Sequence, residues 1–183
     1  LSRLVMFARY QTFDYPYASK IKPSLVNVIS EYYNGNPVRG GGKRTNQDLH
    51  KKGIKEVDKL LLWIKNLMPD AASEFAGGMS RNLYPGIGGV GGFDCHSLKI
   101  DTCWGIRYGK GDSVMKHNHF PYPLAFCYYV NASEESSPFI LEGERIMTVE
   151  GRLVIFLGHQ FHWVSPSNND GRCAIIGNIQ YVS

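Results

Sequence analysis

Three histidines in the last third of the chain have the types and spacing of metal ligands. His117 and His119 are separated by one residue, and His162 follows much later. Side chains two positions apart on a β-strand point to the same face, so this pair predicts a chelate that His162 can complete. Imidazole binds iron, zinc, copper and nickel alike, so the residues do not name the metal. A cluster of histidines satisfied by other polar groups is the alternative.

An arginine that follows His162 suggests a second element of the same site. Arg172 comes after a turn-like segment, residues 165–171, and opens an apolar segment at 173–179. A guanidinium holds a carboxylate through two parallel hydrogen bonds. We expect the strands that carry His162 and Arg172 to be hairpin partners, with both side chains facing the interior. An arginine solvated at the mouth of its strand is the alternative.

The other histidines are expected to have no part in this site. His159 is the nearest rival of His162, but it follows Gly158 in a predicted turn, whereas His162 has a strand-like setting. His50 and His96 lie in polar or loop segments and are expected at the surface.

The cysteines indicate a reducing compartment. They form no CxxC pair, which argues against a structural zinc site. Three of them lie in apolar segments and are expected as buried free thiols, which favours a cytoplasmic location: Cys103, Cys127 and Cys173. No apolar run of about 18 residues and no leader pattern is present, so no membrane association is expected.

Composition favours one β-rich domain. The chain has 183 residues, 43% hydrophobic residues, 13% aromatic residues and 20 glycines, which is typical of short strands joined by many turns. The net charge of +4 is mild, and its cations are dispersed apart from two short pairs at 43–44 and 51–52. The sequence therefore carries no strong signal for nucleic-acid binding.

The N-terminal half predicts helices and loops. Helical spacing of apolar residues predicts a helix over 24–33, with Pro23 in its opening turn, and a second over 54–68 that Pro69 ends. A short strand is predicted at 4–7. Residues 39–46 are expected to form a mobile loop, and the glycine-rich residues 86–92 a flexible connection or lid.

The C-terminal half predicts strands over 98–108, 124–131, 146–149, 152–157, 161–164 and 173–182. A series of strands without intervening helices is typical of a sandwich or barrel. We therefore predict a mainly β fold, a jelly roll with N-terminal helices packed on one outer face. The whole of 1–183 is interpreted as a single domain, with a helical and loop extension at 1–94 and a β core at 95–183.

Residues 103–182 resemble the 2-oxoglutarate and iron(II)-dependent oxygenase superfamily, and within it the branch found in marine bacteria and their phages. The resemblance depends on the order and spacing of short motifs: Trp104, Gly111-Asp112, His117-Asn118-His119, Tyr128-Tyr129, Gly151-Arg152-Leu153-Val154-Ile155-Phe156, His162, Arg172 and Asn178. Most of the superfamily has Asp or Glu at the position of His119, and many members have a small hydroxylic residue at the position of Ala174. Phe126 replaces a glycine of the family pattern and is expected to narrow the pocket.

The resemblance implies a double-stranded β-helix dioxygenase that hydroxylates an unidentified substrate, with release of succinate and carbon dioxide. Fe(II) would be held by His117, His119 and His162, and 2-oxoglutarate would be the co-substrate. Arg172 would hold the far carboxylate of 2-oxoglutarate. The remaining residues implied for the co-substrate site are Tyr108, Tyr128 and Asn178.

Two other classes of function remain open from the sequence. Gly111 followed by His117 and His119 also resembles the start of a cupin motif, which allows a three-histidine dioxygenase without 2-oxoglutarate, an isomerase or a binding module. A non-enzymatic jelly-roll binding domain is the third interpretation. Arg172 favours the oxygenase, because a cupin does not need an arginine there. The substrate, a small molecule or a peptide, is expected to contact the loops at 39–46, 86–92 and 132–138, and the oligomeric state is open, with a homodimer among the alternatives.

Overall fold

A computed structural model of the chain describes residues 10–82, 98–133 and 136–182. The described part contains two long helices and a short 3₁₀ helix at Leu49–Lys51. The helices are α1 (Ala18–Glu31) and α2 (Lys55–Asn82). The strands are β1 (Tyr10–Asp14), β2 (Tyr33–Pro37), β3 (Lys43–Thr45), β4 (Leu98–Tyr108), β5 (Val114–His117), β6 (Leu124–Asn131), β7 (Phe139–Leu141), β8 (Glu144–Ile146), β9 (Arg152–Leu157), β10 (His162–Val164) and β11 (Arg172–Tyr181).

Two antiparallel sheets face each other. The large sheet has the strand order β1-β9-β6-β11-β4-β3-β2, and the small sheet has the order β5-β10-β7-β8. From β4 to β11 the chain passes back and forth between the two sheets, which is the winding of a jelly roll. The predicted mainly β, jelly-roll fold is confirmed.

Strands β6, β9 and β11 form the centre of the large sheet because both of their faces are buried. Every residue of β6 except Asn131 is buried, and β9 and β11 carry runs of buried residues of their own. Such strands form continuous apolar segments, which are easily detected in a sequence. The predicted bounds 98–108, 124–131 and 152–157 are confirmed. Strand β10 begins one residue later than predicted, and β11 is shifted by one residue at both ends.

The two helices pack on the outer face of the large sheet and form the first of two cores. Leu25 and Ile29 of α1 are buried together with Phe126 and Tyr128 of β6. Helix α1 lies so close to β4 that a Cβ on Gly105 would be 2.4 Å from Ile29 Cγ1. The expected packing of N-terminal helices on one outer face is confirmed.

The second core fills the space between the two sheets. Its members include Ile106, Phe139, Leu141 and Phe156, which come from both sheets. Side chains alternate along each strand, so neighbouring residues of β6 belong to different cores. The candidate site lies in this second core.

The prediction that Pro69 ends the second helix is wrong. Helix α2 continues through Pro69 to Asn82. A proline inside a helix removes one backbone hydrogen bond. The residues that follow it, Ala71, Ala72 and Phe75, are buried in the helix-side core, and this packing holds the helix together beyond the proline.

Several short elements also differ from the prediction. Residues 39–46 do not form only a loop, because they include strand β3, which pairs with β2 and β4. The strand predicted at 146–149 lies at Glu144–Ile146 instead, and β5 and β7 were not predicted. The strand predicted at 4–7 and the glycine-rich segment 86–92 lie outside the described residues. Within the described part, neither helix has the length and apolar character needed to cross a membrane.

Candidate metal and carboxylate site

The three predicted histidines converge at one end of the space between the sheets. His117 is the last residue of β5, and it faces His162 of the neighbouring strand β10. One ring nitrogen from each of His117, His119 and His162 lies within 4.8 Å of the others. The Nε2 atoms of His119 and His162 are 3.1 Å apart. The grouping of these three side chains agrees with the sequence-based expectation.

His119 reaches the group by a different path from the one predicted. Strand β5 ends before it, so His119 lies in the following loop rather than on the strand. Its backbone N–H donates to the carbonyl of Gly158 at 2.7 Å. A Cβ on Gly158 would be only 2.0 Å from the carbonyl oxygen of Tyr122, so only glycine permits this close approach.

Hydrogen bonds at the outer nitrogens orient all three rings. The Nδ1 atom of His117 lies 2.8 Å from the carbonyl oxygen of Met115, and that of His162 lies 3.1 Å from the carbonyl oxygen of Gln160. The Nδ1 atom of His119 contacts Oδ1 of Asn178. Each partner is an acceptor, so Nδ1 of each neutral ring carries the proton and Nε2 keeps its lone pair.

Burial keeps two of these rings neutral. It lowers the pKa of His119 to about 4 and that of His162 to about 3, with the neighbouring His117 adding to both shifts. Neutral imidazole is the form that binds a metal. The Nε2 atoms of His119 and His162 are 3.1 Å apart, and neither carries a proton that the other could accept. Two such lone pairs can bind one divalent cation together.

Asn178 holds the ring of His119 in place. Its Nδ2 donates to Oγ1 of Thr102 at 2.9 Å, which fixes the amide so that Oδ1 faces His119. Asn178 is buried on β11 and also lines the cavity described below. The sequence-based interpretation placed it in a co-substrate site; its side-chain hydrogen bonds in the structure are with His119 and Thr102.

Arg172 is almost completely buried, with 2% of its surface exposed. Its Nη1 donates to the carbonyl oxygen of Ser137 at 2.7 Å. Its guanidinium carbon lies 4.9 Å from the ring centre of Tyr108 and 5.7 Å from that of Tyr129. No described Asp or Glu forms an ion pair with it, and its buried Nε has no hydrogen-bond partner.

The strands that carry Arg172 and His162 are not hairpin partners, contrary to the prediction. Strand β11 pairs with β4 and β6 in the large sheet, whereas β10 pairs with β5 and β7 in the small one. The two side chains therefore face the same space from opposite sheets. The chain crosses from one sheet to the other between them, which is the rule in a jelly roll.

Of the two predicted tyrosines, one lies beside Arg172 and the other does not. Tyr108 is the cross-strand partner of Arg172. Tyr128 belongs to the helix-side core, where its ring contacts that of Tyr15 at 6.2 Å. Its neighbour Tyr129 faces Arg172 instead, and the Tyr129 hydroxyl is buried without a hydrogen-bond partner. The sequence identified the Tyr-Tyr pair, but only the strand register decides which tyrosine faces the site.

Phe126 does not narrow the pocket. Its ring lies on the helix side of the large sheet, where a Cβ on Gly177 would be 2.4 Å from Phe126 Cε1. Ala174 is two residues beyond Arg172 and does line the site. A small side chain there leaves room beside the guanidinium.

A cavity of about 640 Å³ connects the histidines to Arg172. Its walls include Trp104, whose ring stacks on His119 with centres 5.9 Å apart, and Tyr108, Phe139 and Phe156. Its volume is in the range of small-molecule sites. A metal held by the histidines and a carboxylate held by Arg172 would share this one space.

The structure places His159 and three cysteines as expected, but not His50. His159 is exposed and does not join the metal-ligand group. His50 is half-buried rather than at the surface, and burial lowers its pKa. Three cysteines are buried free thiols: Cys103, Cys127 and Cys173. His96 and Cys95 lie outside the described residues.

Comparison with known proteins places the fold. No protein-family model matches the chain, and no curated protein matches it significantly. A prolyl-4-hydroxylase from Pseudomonas putida is similar in structure, with 15% identity, a TM-score of 0.64, and coverage of 94% of this chain and 92% of that one. The viral collagen prolyl hydroxylase of Paramecium bursaria Chlorella virus-1, solved with 2OG, has 12% identity, a TM-score of 0.68, and coverage of 96% and 97%.

A third structure with this fold is an epimerase rather than a hydroxylase. The non-haem alpha-ketoglutarate-dependent epimerase SnoN of nogalamycin biosynthesis has 9% identity, a TM-score of 0.66, and coverage of 97% of this chain and 82% of that one. These similarities show that the chain shares the double-stranded β-helix fold of the three proteins.

Proposed function

We propose that this protein is a 2-oxoglutarate-dependent, non-haem Fe(II) oxygenase. The observation that carries the proposal is the pairing of two features in one cavity. Three imidazoles present their ring nitrogens to a common point, and a buried arginine with no acidic partner among the described residues faces the same space. The first feature fits a divalent metal, and the second fits the far carboxylate of an oxo acid.

The histidines would hold the metal on one side and leave its other side open to the cavity. Fe(II) supplies the activation of dioxygen when it is bound. The protein's own contribution is the orientation of the rings, through the Nδ1 hydrogen bonds to two backbone carbonyls and to Asn178. Trp104 and Phe156 cover His119 and exclude water from that side of the site.

Arg172 would bind the carboxylate of 2-oxoglutarate that lies away from the metal. A buried guanidinium without a counter-ion is costly, and a carboxylate removes this cost while accepting hydrogen bonds from Nε and Nη. The Tyr129 hydroxyl, buried and without a partner, is a further donor toward the same carboxylate, and the Tyr108 ring packs against the guanidinium.

Arg172 also favours the oxygenase over a cupin that does not use 2-oxoglutarate. A three-histidine metal centre by itself is compatible with an oxygenase and with a cupin. A cupin of that kind has no use for an unpaired cation nearly sealed inside the jelly roll, whereas a dicarboxylic co-substrate requires one.

We further propose hydroxylation of a small molecule or peptide, with release of succinate and carbon dioxide, as the reaction. Two of the three similar structures named above are hydroxylases and one is an epimerase, so the outcome of the oxidation depends on the enzyme and its substrate. The buried free cysteines support a reducing compartment, the cytoplasm.

The test is the formation of succinate by purified protein supplied with Fe(II), 2-oxoglutarate and dioxygen. We expect slow turnover without added substrate, dependent on all three reagents and lost in His162→Ala. His159→Ala is the matched control, because His159 is exposed and outside the ligand group. Bound iron without any consumption of 2-oxoglutarate would contradict the proposal.

A further inference from the structure

The lining of the cavity carries more positive charge than a 2-oxoglutarate dianion would neutralise. Four cationic residues line it, and no Asp or Glu among the described residues does: Arg39, Arg44, Lys116 and Arg172. Arg172 is already assigned to 2-oxoglutarate. The three remaining cations have no assigned partner and are located on the side of the cavity formed by β3 and β5 and by the segment beside them.

Arg44 is placed on the cavity face by the strand register. On β3 it is the direct partner of Ile106 on β4, and Ile106 is the partner of Ala174 on β11. Direct cross-strand partners share one face of a sheet, so Arg44 lies on the same face as these two cavity residues. Two strand spacings separate Arg44 from Ala174, about 10 Å, which is room for a small substrate between them.

Arg44 has unused hydrogen-bonding capacity. Its Nε is buried and has no partner, and its guanidinium forms no ion pair with a described acid. A buried donor without a partner is unfavourable, so a ligand that accepts from it gains the energy that the protein alone does not recover. Arg44 is half-buried, and like Arg172 it has a buried Nε without a partner, at a second position in the same cavity.

Lys116 and Arg39 extend this positive surface toward solvent. Lys116 precedes His117 on β5, and its Nζ lies 5.4 Å from the ring centres of Phe161 and Trp163, with no acidic partner described. The Arg39 carbonyl accepts from the Met115 N–H at 3.4 Å, which keeps the Arg39 segment beside β5. Both residues are exposed at the cavity mouth.

We infer that the substrate of this enzyme is a small molecule with an anionic group, a carboxylate or a phosphate, and that Arg44 binds this group with help from Lys116 and Arg39. The inference rests on the proposed function for its charge balance. The three ligands are neutral imidazoles, so a 2-oxoglutarate dianion neutralises only part of the combined charge of a divalent metal and Arg172. A substrate anion at Arg44 would reduce the remainder, and a cationic substrate would be repelled.

The test compares three probes of similar shape and different charge: benzoate, phenyl phosphate and the neutral benzamide. Calorimetry first measures the binding of Mn(II) and 2-oxoglutarate, because Mn(II) occupies the site without turnover. Each probe is then titrated into this loaded protein, so that Arg172 is already occupied. We expect benzoate or phenyl phosphate to bind at least tenfold more tightly than benzamide at low salt, and the tighter of the two identifies the class of anion.

Variants locate the binding. Arg44→Gln should lower the affinity for the anionic probe about tenfold and leave the affinity for benzamide unchanged, because it removes a charge-assisted hydrogen bond. Arg145→Gln is the control, an exposed arginine on β8 outside the cavity, and should change neither. Lys116→Gln, at an exposed position, serves as a second variant if Arg44→Gln does not fold, and should weaken the anion at least threefold.

Equal binding of benzoate, phenyl phosphate and benzamide would overturn the inference, as would equal effects of Arg44→Gln and Arg145→Gln. Failure of the proposed function is a separate outcome, visible in the first step as an absence of 2-oxoglutarate binding. In that case the anion titration is repeated on the metal-loaded protein with Arg44→Gln and Arg172→Gln side by side. If only Arg172→Gln lost affinity for the anionic probe, the inference that Arg44 binds the anion would be overturned.

Discussion

Replacing Arg172 with methionine separates the stability of the fold from the binding of 2-oxoglutarate. Methionine keeps much of the length of the side chain and removes its charge. In the metal-free protein the change loses the hydrogen bond to the Ser137 carbonyl and the contacts with the rings of Tyr108 and Tyr129. It also removes a buried cation with no described acidic partner.

These effects on stability oppose each other. The charged hydrogen bond contributes about 1.5–3 kcal/mol and each ring contact about 0.5–2 kcal/mol, while burial of an ion costs several kcal/mol. We therefore expect the free energy of unfolding of the metal-free protein to change by less than about 2 kcal/mol. Urea denaturation, followed by circular dichroism, measures it.

The loss of affinity for 2-oxoglutarate in Arg172→Met is not offset by an opposing effect. Loss of one partner of a buried, hydrogen-bonded charge pair costs about 2–5 kcal/mol, which is a loss of affinity of roughly 30-fold to several thousand-fold. Calorimetry with Mn(II)-loaded protein measures 2-oxoglutarate binding without turnover. Arg107→Met is the matched control: Arg107 lies next to Tyr108 on β4 but is exposed and donates to Ser30 on the helix side.

The reasoning is refuted if Arg172→Met binds 2-oxoglutarate within threefold of the unaltered protein, or if Arg107→Met loses as much affinity as Arg172→Met. A loss of more than about 4 kcal/mol in the unfolding of the metal-free protein would show that Arg172 is already compensated in the fold.

Three further substitutions test other parts of the account. His162→Ala should abolish stoichiometric metal binding and His159→Ala should retain it, as measured by metal analysis of the purified proteins; the reverse result would exchange the two roles. Asn178→Ala should weaken metal binding about 10- to 100-fold, because it releases the ring of His119. Thr102→Val should weaken metal binding less, because the Asn178 amide would remain beside that ring. Equal metal affinity of the unaltered protein and both variants would exclude a positioning role for Asn178. Gly177→Ala should lower the free energy of unfolding by about 1–3 kcal/mol, because its Cβ would lie 2.4 Å from an aromatic ring of β6; an unchanged denaturation midpoint would contradict this packing.

The sequence identified the central strands because burial on both faces leaves a continuous apolar segment. Strands β6 and β9 are examples, and their bounds agree with the prediction. Strand β5 was missed for the opposite reason. It lies at the edge of the small sheet, and the side chains of Met115 and Lys116 are exposed, so no apolar pattern marks it.

Contacts between distant parts of the chain explain the other differences. Pro69 was expected to end a helix, but the burial of residues after it outweighs the loss of one backbone hydrogen bond. Tyr128 was predicted for the co-substrate site, but its neighbour Tyr129 faces Arg172, because the register of β6 against β11 decides which of the two points inward. A sequence does not state this register, and a shift of one residue exchanges the two faces.

The structure brings together the three histidines that the sequence grouped, but the elements that carry them differ from the prediction. His119 was expected on the strand that carries His117, and it lies in the following loop, held by the Gly158 carbonyl. Arg172 opens β11, and its two tyrosine neighbours come from the two strands that pair with β11: Tyr108 from β4 and Tyr129 from β6.

Anaerobic titration of the protein with Fe(II) and 2-oxoglutarate tests the central claim most directly. We expect a visible charge-transfer band that develops only when both are present, saturates at one equivalent of each, and is lost in His162→Ala. Tight binding of Fe(II) with no band and no detectable affinity for 2-oxoglutarate would contradict the claim that the three histidines and Arg172 form one site.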